Sequence, residues 1–117
     1  MKISEKIKQR LKEAGIRYHS NDNIADYINE GELQELQNEV AESFAGVLGS
    51  LVIDTDNDHN TQDTARRVAK MYVKEVFGGR FVQPPKVTAF PNMGYKSLYT
   101  SGPISIRSTC AHHFQNI

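Results

Sequence analysis

Residues 104–114 of the chain read ISIRSTCAHHF. Ile104 and Ile106, followed by Ser108 and Cys110, alternate with Ser105, Arg107 and Thr109. This period of two is typical of a β-strand. The stretch also places the only cysteine and two of the four histidines within four consecutive positions. It therefore predicts a strand that runs directly into a candidate chemical site.

The chain before this stretch has the apolar spacing of α-helices. Ile3, Ile7 and Leu11 recur every four residues and precede Gly15, which predicts a first helix that ends at the glycine. From Leu33 to Leu51 the apolar residues recur at steps of mostly three and four, which predicts a one-faced helix of about five to six turns.

A third predicted helix follows, and after it the sequence pattern changes from helical to extended. Thr61 or Asp63 can cap this helix, and Gly78-Gly79 is expected to end it. Pro84-Pro85 then restricts the backbone to extended forms, and 86–90 is a short strand candidate. Helices therefore come first and strands late, which predicts an α+β fold with only the first strands of a sheet.

Composition narrows the class of protein. The 117 residues suffice for one domain, and 14 basic residues balance 14 acidic ones. Zero net charge argues against non-specific nucleic-acid or anionic-membrane binding, and no apolar run reaches the roughly 18 residues of a membrane span. A single cysteine cannot form an internal disulfide, so a cytoplasmic protein is expected.

The acidic run 54–58 resembles the start of a calcium loop but fails that template. The position that requires glycine holds His59, and the position that requires glutamate holds Ala65. The run is therefore interpreted as a solvated acidic loop.

Cys110 can combine with His112 or His113 in a metal site. Zinc accepts thiolate and imidazole, and a catalytic zinc usually has three protein ligands and a water. A neighbouring histidine that does not bind metal can serve as a general acid or base. A buried cysteine beside a surface histidine pair, or a cysteine protease with His19 or His59 as its base, are the alternatives on spacing alone.

Three basic residues share one side of the third predicted helix, namely Arg67, Lys70 and Lys74. This side is either a solvated basic face or a surface on which at least one residue meets an anion.

Four blocks of sequence, in this order and spacing, resemble GTP cyclohydrolase I. The blocks are DTARRVAKMY at 63–72, EVFGG at 75–79, PKVT at 85–88 and STCAHHF at 108–114. The resemblance covers 31–117, as the front part of the family's catalytic domain, and leaves 1–30 as a variable N-terminal helix and loop.

The resemblance implies a fold and a reaction. The helices would lead into the first strands of a T-fold (tunnelling-fold) antiparallel sheet, in a homo-oligomer that is a toroidal decamer in the family. The family is a zinc-dependent hydrolase that converts GTP and water to 7,8-dihydroneopterin triphosphate and formate, for tetrahydrofolate and other pterins or for 7-deazaguanines.

The resemblance also implies roles for individual residues. Cys110 and His113 would be zinc ligands, and His112 would move protons on the opening imidazole ring of the substrate. Arg67 would contact the triphosphate, because a guanidinium stays charged and can contact two oxygens at once. Lys70 and Lys74 remain with the solvated face.

The chain departs from the family pattern in several places. Ala111 replaces the usual glutamate, and Ala65 replaces the usual proline. The family's third zinc ligand, a second cysteine, and its guanine-binding Gln/Glu pair lie downstream of the part present here. We therefore expect a truncated chain that is inactive alone; the alternative is a non-catalytic module that pairs with full-length subunits. A T-fold nitrile reductase fits less well, because of the adjacent histidines and the helical lead-in, and a structural zinc module lacks four close ligands.

Overall fold

A computed structural model describes all 117 residues as two compact units, Met1–Gln83 and Pro84–Ile117. All of the helices lie in the first unit, where loops connect them. Its elements are α1 (Ile3–Glu13), a 3-10 turn (Ala25–Tyr27), α2 (Glu32–Ser50), α3 (Thr64–Lys70), a π-helical segment (Met71–Val76) and the single turn α4 (Gly78–Phe81). No helix combines the length and apolar character needed to cross a membrane.

Helix α1 confirms the first predicted helix. Ile3, Ile7 and Leu11 are all buried, because their spacing places them on one face. The helix ends at Glu13 with Ala14 as its C-cap, and the next residue is Gly15, whose φ of +67° suits a residue without a Cβ. The N–H of Ile16 then donates to the carbonyl of Leu11 at 2.9 Å, as in a Schellman motif.

The core of the first unit forms around this face of α1. Ile24, just before the 3-10 turn, is buried with the three apolar residues of α1. Partly buried side chains from the loop, the end of the 3-10 turn, α2 and α4 pack against this cluster: Tyr18, Tyr27, Ile28, Leu36 and Phe81. Two polar links also join α1 to α2, namely an Arg10–Glu32 ion pair and hydrogen bonds from Ser4 to the carboxylate of Glu39.

The segment before the 3-10 turn is attached to α4 by side chains that bond to backbone carbonyls. The guanidinium of Arg80 donates to the carbonyls of Tyr18, His19 and Asp22. The amide of Asn23 donates to the carbonyls of Gly79 and Val82, at 2.8 Å each. Residues 18–23 are therefore integrated into the helical unit, although they form no helix themselves.

Helix α2 confirms the second predicted helix, but it is less covered than its apolar stripe suggests. It packs against α3, and Phe44 stacks on Tyr72 with ring centroids 5.7 Å apart. None of its residues is fully buried, and Val47 near its end is half exposed.

Helix α3 begins at Thr64, close to the predicted start, and buries Ala69. The backbone then widens into the π-helical segment, which buries Val73. The helical run ends before Gly78-Gly79 as predicted, but the two glycines begin the further turn α4 instead of a loop.

The predicted α+β fold class is wrong for this chain. Residues 86–90 and 104–110 form no strand, and the only ladder-type contact of Pro84–Ile117 is an isolated antiparallel bridge between Thr109 and Asn116. A strand needs a neighbouring strand to pair its backbone N–H and C=O groups, and this chain supplies none. The first strands of the T-fold sheet are therefore not formed either, and their apolar side chains, such as Val87 and Ile106, stay exposed.

Candidate functional site

The four residues predicted for the site fall in different units. Arg67 lies on α3, in Met1–Gln83, whereas Cys110, His112 and His113 lie in Pro84–Ile117. Of these four, the structure brings Cys110 and His112 together.

The cysteine lies at the start of a tight turn that is closed by backbone hydrogen bonds. The N–H of Cys110 donates to the carbonyl of Gln115 at 2.9 Å, and the N–H of Phe114 donates back to the Cys110 carbonyl at 2.8 Å. A third bond runs from the N–H of Ile117 to the carbonyl of Ser108 at 2.9 Å. Both histidines are thereby carried on the tip of the turn, between the two bonded ends.

Within this turn the thiol faces one imidazole. Cys110 Sγ lies 3.5 Å from His112 Nδ1, which is a hydrogen-bond distance for sulfur. The cysteine is partly buried and forms no disulfide, and both histidines are exposed. The residue beside the thiol is thus His112, whereas the family resemblance pairs Cys110 with His113 as zinc ligands.

The donors present fit zinc in kind but not in number. A thiolate and an imidazole are both ligands that zinc accepts. The chain, however, contains no group of three or more His, Cys, Asp or Glu side chains placed to hold a metal ion. A three-ligand catalytic zinc site is therefore not completed within this chain.

Arg67 presents its guanidinium on the exposed side of α3. Its side chain is 70% exposed, and its nearest carboxylate, Asp63, is 4.0 Å away. The adjacent Arg66 holds the same carboxylate at 2.9 Å, and this hydrogen bond is the main reason that the pKa of Asp63 is lowered. Arg67 is therefore the less engaged of the two arginines in ion pairing.

One feature of the second unit was not predicted. A cleft of about 670 Å³ lies at residues 90–99, between the two segments that were expected to be strands. Its lining is mostly aromatic and apolar: Phe90, Pro91, Asn92, Met93, Tyr95, Ser97 and Tyr99. The density of aromatic residues at 90–99 was the signal in the sequence, but apolar spacing alone gives no cleft.

The chain is similar to curated proteins named GTP cyclohydrolase 1. It is 36% identical to the protein of Shewanella amazonensis over 86 residues, which are 72% of this chain and 39% of that protein. The proteins of Shewanella oneidensis and Shewanella putrefaciens are each 35% identical over 86 residues, with 39% and 40% of their lengths covered. The chain thus spans about two fifths of the length of these relatives.

No family model matches the chain, and no solved structure does so either. The similarity to the Shewanella proteins nevertheless covers 72% of this chain, with more than one in three of the aligned residues identical. Over the matched residues the chain is a homologue of GTP cyclohydrolase 1, and the resemblance inferred from its sequence blocks is confirmed.

Proposed function

We propose that this chain carries the front part of a zinc-dependent GTP cyclohydrolase site, the site that produces 7,8-dihydroneopterin triphosphate and formate from GTP and water. The observation that carries the proposal is the similarity over 86 residues to proteins named GTP cyclohydrolase 1. The single free thiol also suits a reducing cytoplasm.

Each predicted residue has a distinct task in this proposal. Cys110 and His113 would hold the zinc, which supplies a Lewis acid that lets water act as a nucleophile near neutral pH. His112 would hold or deliver a proton, because an imidazole nitrogen can both accept and donate one. Arg67 would fix the triphosphate through two oxygens at once.

The exposure of Arg67 supports its proposed task and offers a matched control. Arg66 and Arg67 are neighbours with similar exposure, 63% and 70%, but only Arg66 makes a close ion pair. A residue that merely contributes positive charge would be interchangeable with its neighbour, whereas an anion ligand would not.

The test is binding of GTP and of inorganic tripolyphosphate to the purified chain, by calorimetry. Arg67→Ala should weaken binding of both by about tenfold or more, because a charge-assisted contact contributes about 1.5–3 kcal/mol. Arg66→Ala should change affinity by less than about twofold, within the usual small effect of a surface residue. Equal losses in the two variants, or no binding by the unaltered chain, would contradict the proposed role.

We further propose that this chain alone does not turn over GTP, since it contains no group of three metal-ligating side chains. Formate release from the pure chain with added zinc should stay at background. Zinc-dependent release that disappears in Cys110→Ala would overturn this claim.

A second candidate function is a non-catalytic module that pairs with full-length subunits. It is favoured by the exposed apolar side chains of Pro84–Ile117, such as Val87, Phe90 and Ile106, which have no cover in this chain. Sedimentation of the chain mixed with the Shewanella amazonensis GTP cyclohydrolase 1 tests it. A mixed complex supports this function, and separate species contradict it.

A further inference from the structure

A small cleft in the helical unit lies beside its core and is lined by residues of α1, α2, α4 and the loop between α1 and α2. Its volume is about 170 Å³. The floor is apolar and includes Ile7, Leu11 and Ile24, which are all buried. An apolar protein cavity of about 150 Å³ holds one benzene ring. The cleft therefore has room for an apolar group of about one ring.

The wall of this cleft carries two cations and no carboxylate. Lys8 belongs to α1 and Arg80 to α4, and none of the lining residues is acidic. Lys8 interacts electrostatically with Glu39, but that carboxylate already accepts hydrogen bonds from the N–H and the hydroxyl of Ser4. Positive charge therefore adjoins an apolar floor without a carboxylate in the cleft to neutralise it.

Arg80 is a partly buried cation that has no ion-pair partner. Its hydrogen bonds go to backbone carbonyls, and it takes part in none of the ion pairs of the chain. Asp22 acts on it electrostatically, but the carboxylate of Asp22 is held by Arg17. Burial lowers the pKa of Arg80, because its charge is partly removed from water. A carboxylate on a ligand would supply the missing counter-charge.

The charge of Arg80 also adjoins an aromatic ring. The guanidinium carbon Cζ of Arg80 lies 5.9 Å from the centroid of the Phe81 ring, and both residues line the cleft. A ligand ring that packs against Phe81 can carry a carboxylate to Arg80, and two aromatic rings attract each other beyond the apolar area that they bury. A rigid aryl carboxylate also loses little conformational freedom when it binds.

We propose that this cleft binds a small aryl monocarboxylate, with its ring on the apolar floor and its carboxylate at Arg80 and Lys8. This inference goes beyond the proposed function, because most of the lining lies within residues 1–30, outside the part of the chain that resembles GTP cyclohydrolase I. It concerns a ligand that is much smaller than GTP, at a site on other residues than Arg67 and the Cys110 turn.

The test is a titration of the full 117-residue chain, labelled with nitrogen-15, with benzoate, followed by NMR chemical shifts. Benzoate should shift the amide signals of Ile7, Leu11, Ile24 and Phe81 and should saturate with a Kd of about 1 mM, as expected for a ligand of few atoms. Benzamide has the same ring without the charge and should bind at least about fivefold more weakly. Acetate has the charge without the ring and should leave these signals in place.

Two lysines of α1 provide matched variants, since both are exposed and only Lys8 lines the cleft. Lys8→Ala should weaken benzoate binding by about twofold to fivefold, the usual range for an exposed ion pair, and Lys6→Ala should leave the Kd unchanged. Leu36→Phe should abolish binding, because Leu36 lines the cleft and a larger side chain would fill it. Far-UV circular dichroism and urea midpoints verify that each variant is folded.

Several results would overturn the inference. Equal affinities for benzoate and benzamide would mean that the cations do not select the ligand. Equal Kd values for Lys8→Ala and Lys6→Ala would remove Lys8 from the site. Shifts confined to α3 would place the anion on the basic face around Arg67, and the absence of shifts at the cleft, or unchanged binding by folded Leu36→Phe, would show that the cleft is not the site.

Discussion

The two units of this chain treat their apolar side chains in opposite ways. In Met1–Gln83, Leu11 is 1% exposed and Ile7 is 3% exposed, whereas in Pro84–Ile117 Ile106 is 84% exposed. A helix satisfies its backbone hydrogen bonds within one segment and needs a neighbour only for its apolar face. A strand needs a neighbour for its backbone as well, so the same chain forms its helices and leaves its strand candidates unpaired.

This difference also separates the candidate site residues. Arg67 lies on a helix of the unit that has a core, and Cys110 lies in a turn of the unit that has none. The proposed ligand for phosphate is thus presented by an ordered helix. The proposed ligand for metal depends on a local turn held by three backbone hydrogen bonds.

The largest difference in stability between the two units is expected from substitutions at Leu11 and Ile106. Leu11→Ala should lower the free energy of unfolding by about 2–5 kcal/mol, because it removes a buried side chain and leaves a cavity. Ile106→Ala should change it by less than about 0.5 kcal/mol, because that side chain is exposed. Urea unfolding followed by circular dichroism measures both. A loss at Ile106 as large as that at Leu11 would show that the second unit has a core after all.

A smaller effect is expected at Arg80, whose guanidinium holds three carbonyls of the preceding loop. Burial lowers the pKa of this arginine, so its attachment is partly shielded from water. Arg80→Ala should destabilise the helical unit by about 1–3 kcal/mol, the usual loss when bonded polar groups are left without partners. Arg66→Ala, which removes only a surface ion pair, is the control in the same urea assay. Equal midpoints for the two variants would contradict the attachment role.

The smallest effect concerns acid. Asp22 accepts two hydrogen bonds from the side chain of Arg17 and one from the N–H of His19, and these lower its pKa from 3.8 to about 2. Because the folded pKa is lowered, Asp22 stabilises the fold above pH 3.8, and this stabilisation is lost as the pH falls towards 2. Asp22→Asn should therefore weaken the fold at neutral pH and flatten its loss of stability in acid.

Urea midpoints measured from neutral pH down to the acid limit test this dependence. Asp56→Asn, in the exposed acidic loop, is the control. If the urea midpoint of Asp22→Asn falls between pH 3.8 and 2 as steeply as that of the unaltered chain, the pairing with Arg17 does not affect folding.

What could be predicted from the sequence was local. The spacing of Ile3, Ile7 and Leu11 predicted α1 and its buried face, and Gly15 predicted its end. The long helix to Ser50 was predicted in the same way. The left-handed residue that follows it is Val52, with a φ of +62°, where a glycine would be usual.

What could not be predicted depends on distant parts of the chain. The bonds of Arg80 to the loop before the 3-10 turn join residues about sixty positions apart, and no periodicity reports them. The predicted strand at 104–110 was wrong for the same reason, because an alternating pattern indicates one strand but not the strand that must pair with it. Among the site residues, spacing grouped Cys110 with both histidines, and only the turn selects His112 as its neighbour. The roles assigned to Arg67, His112 and the zinc ligands stay predictions.

Amide hydrogen exchange, read by mass spectrometry on peptides along the whole chain, tests the contrast between the two units most directly. We predict slow exchange in α1, α2 and α3, where backbone N–H groups are bonded within helices, and rapid exchange at 86–90 and 104–108, where no strand is formed. Exchange at 86–90 and 104–108 as slow as in the helices would mean that these segments are paired strands, and would contradict the account.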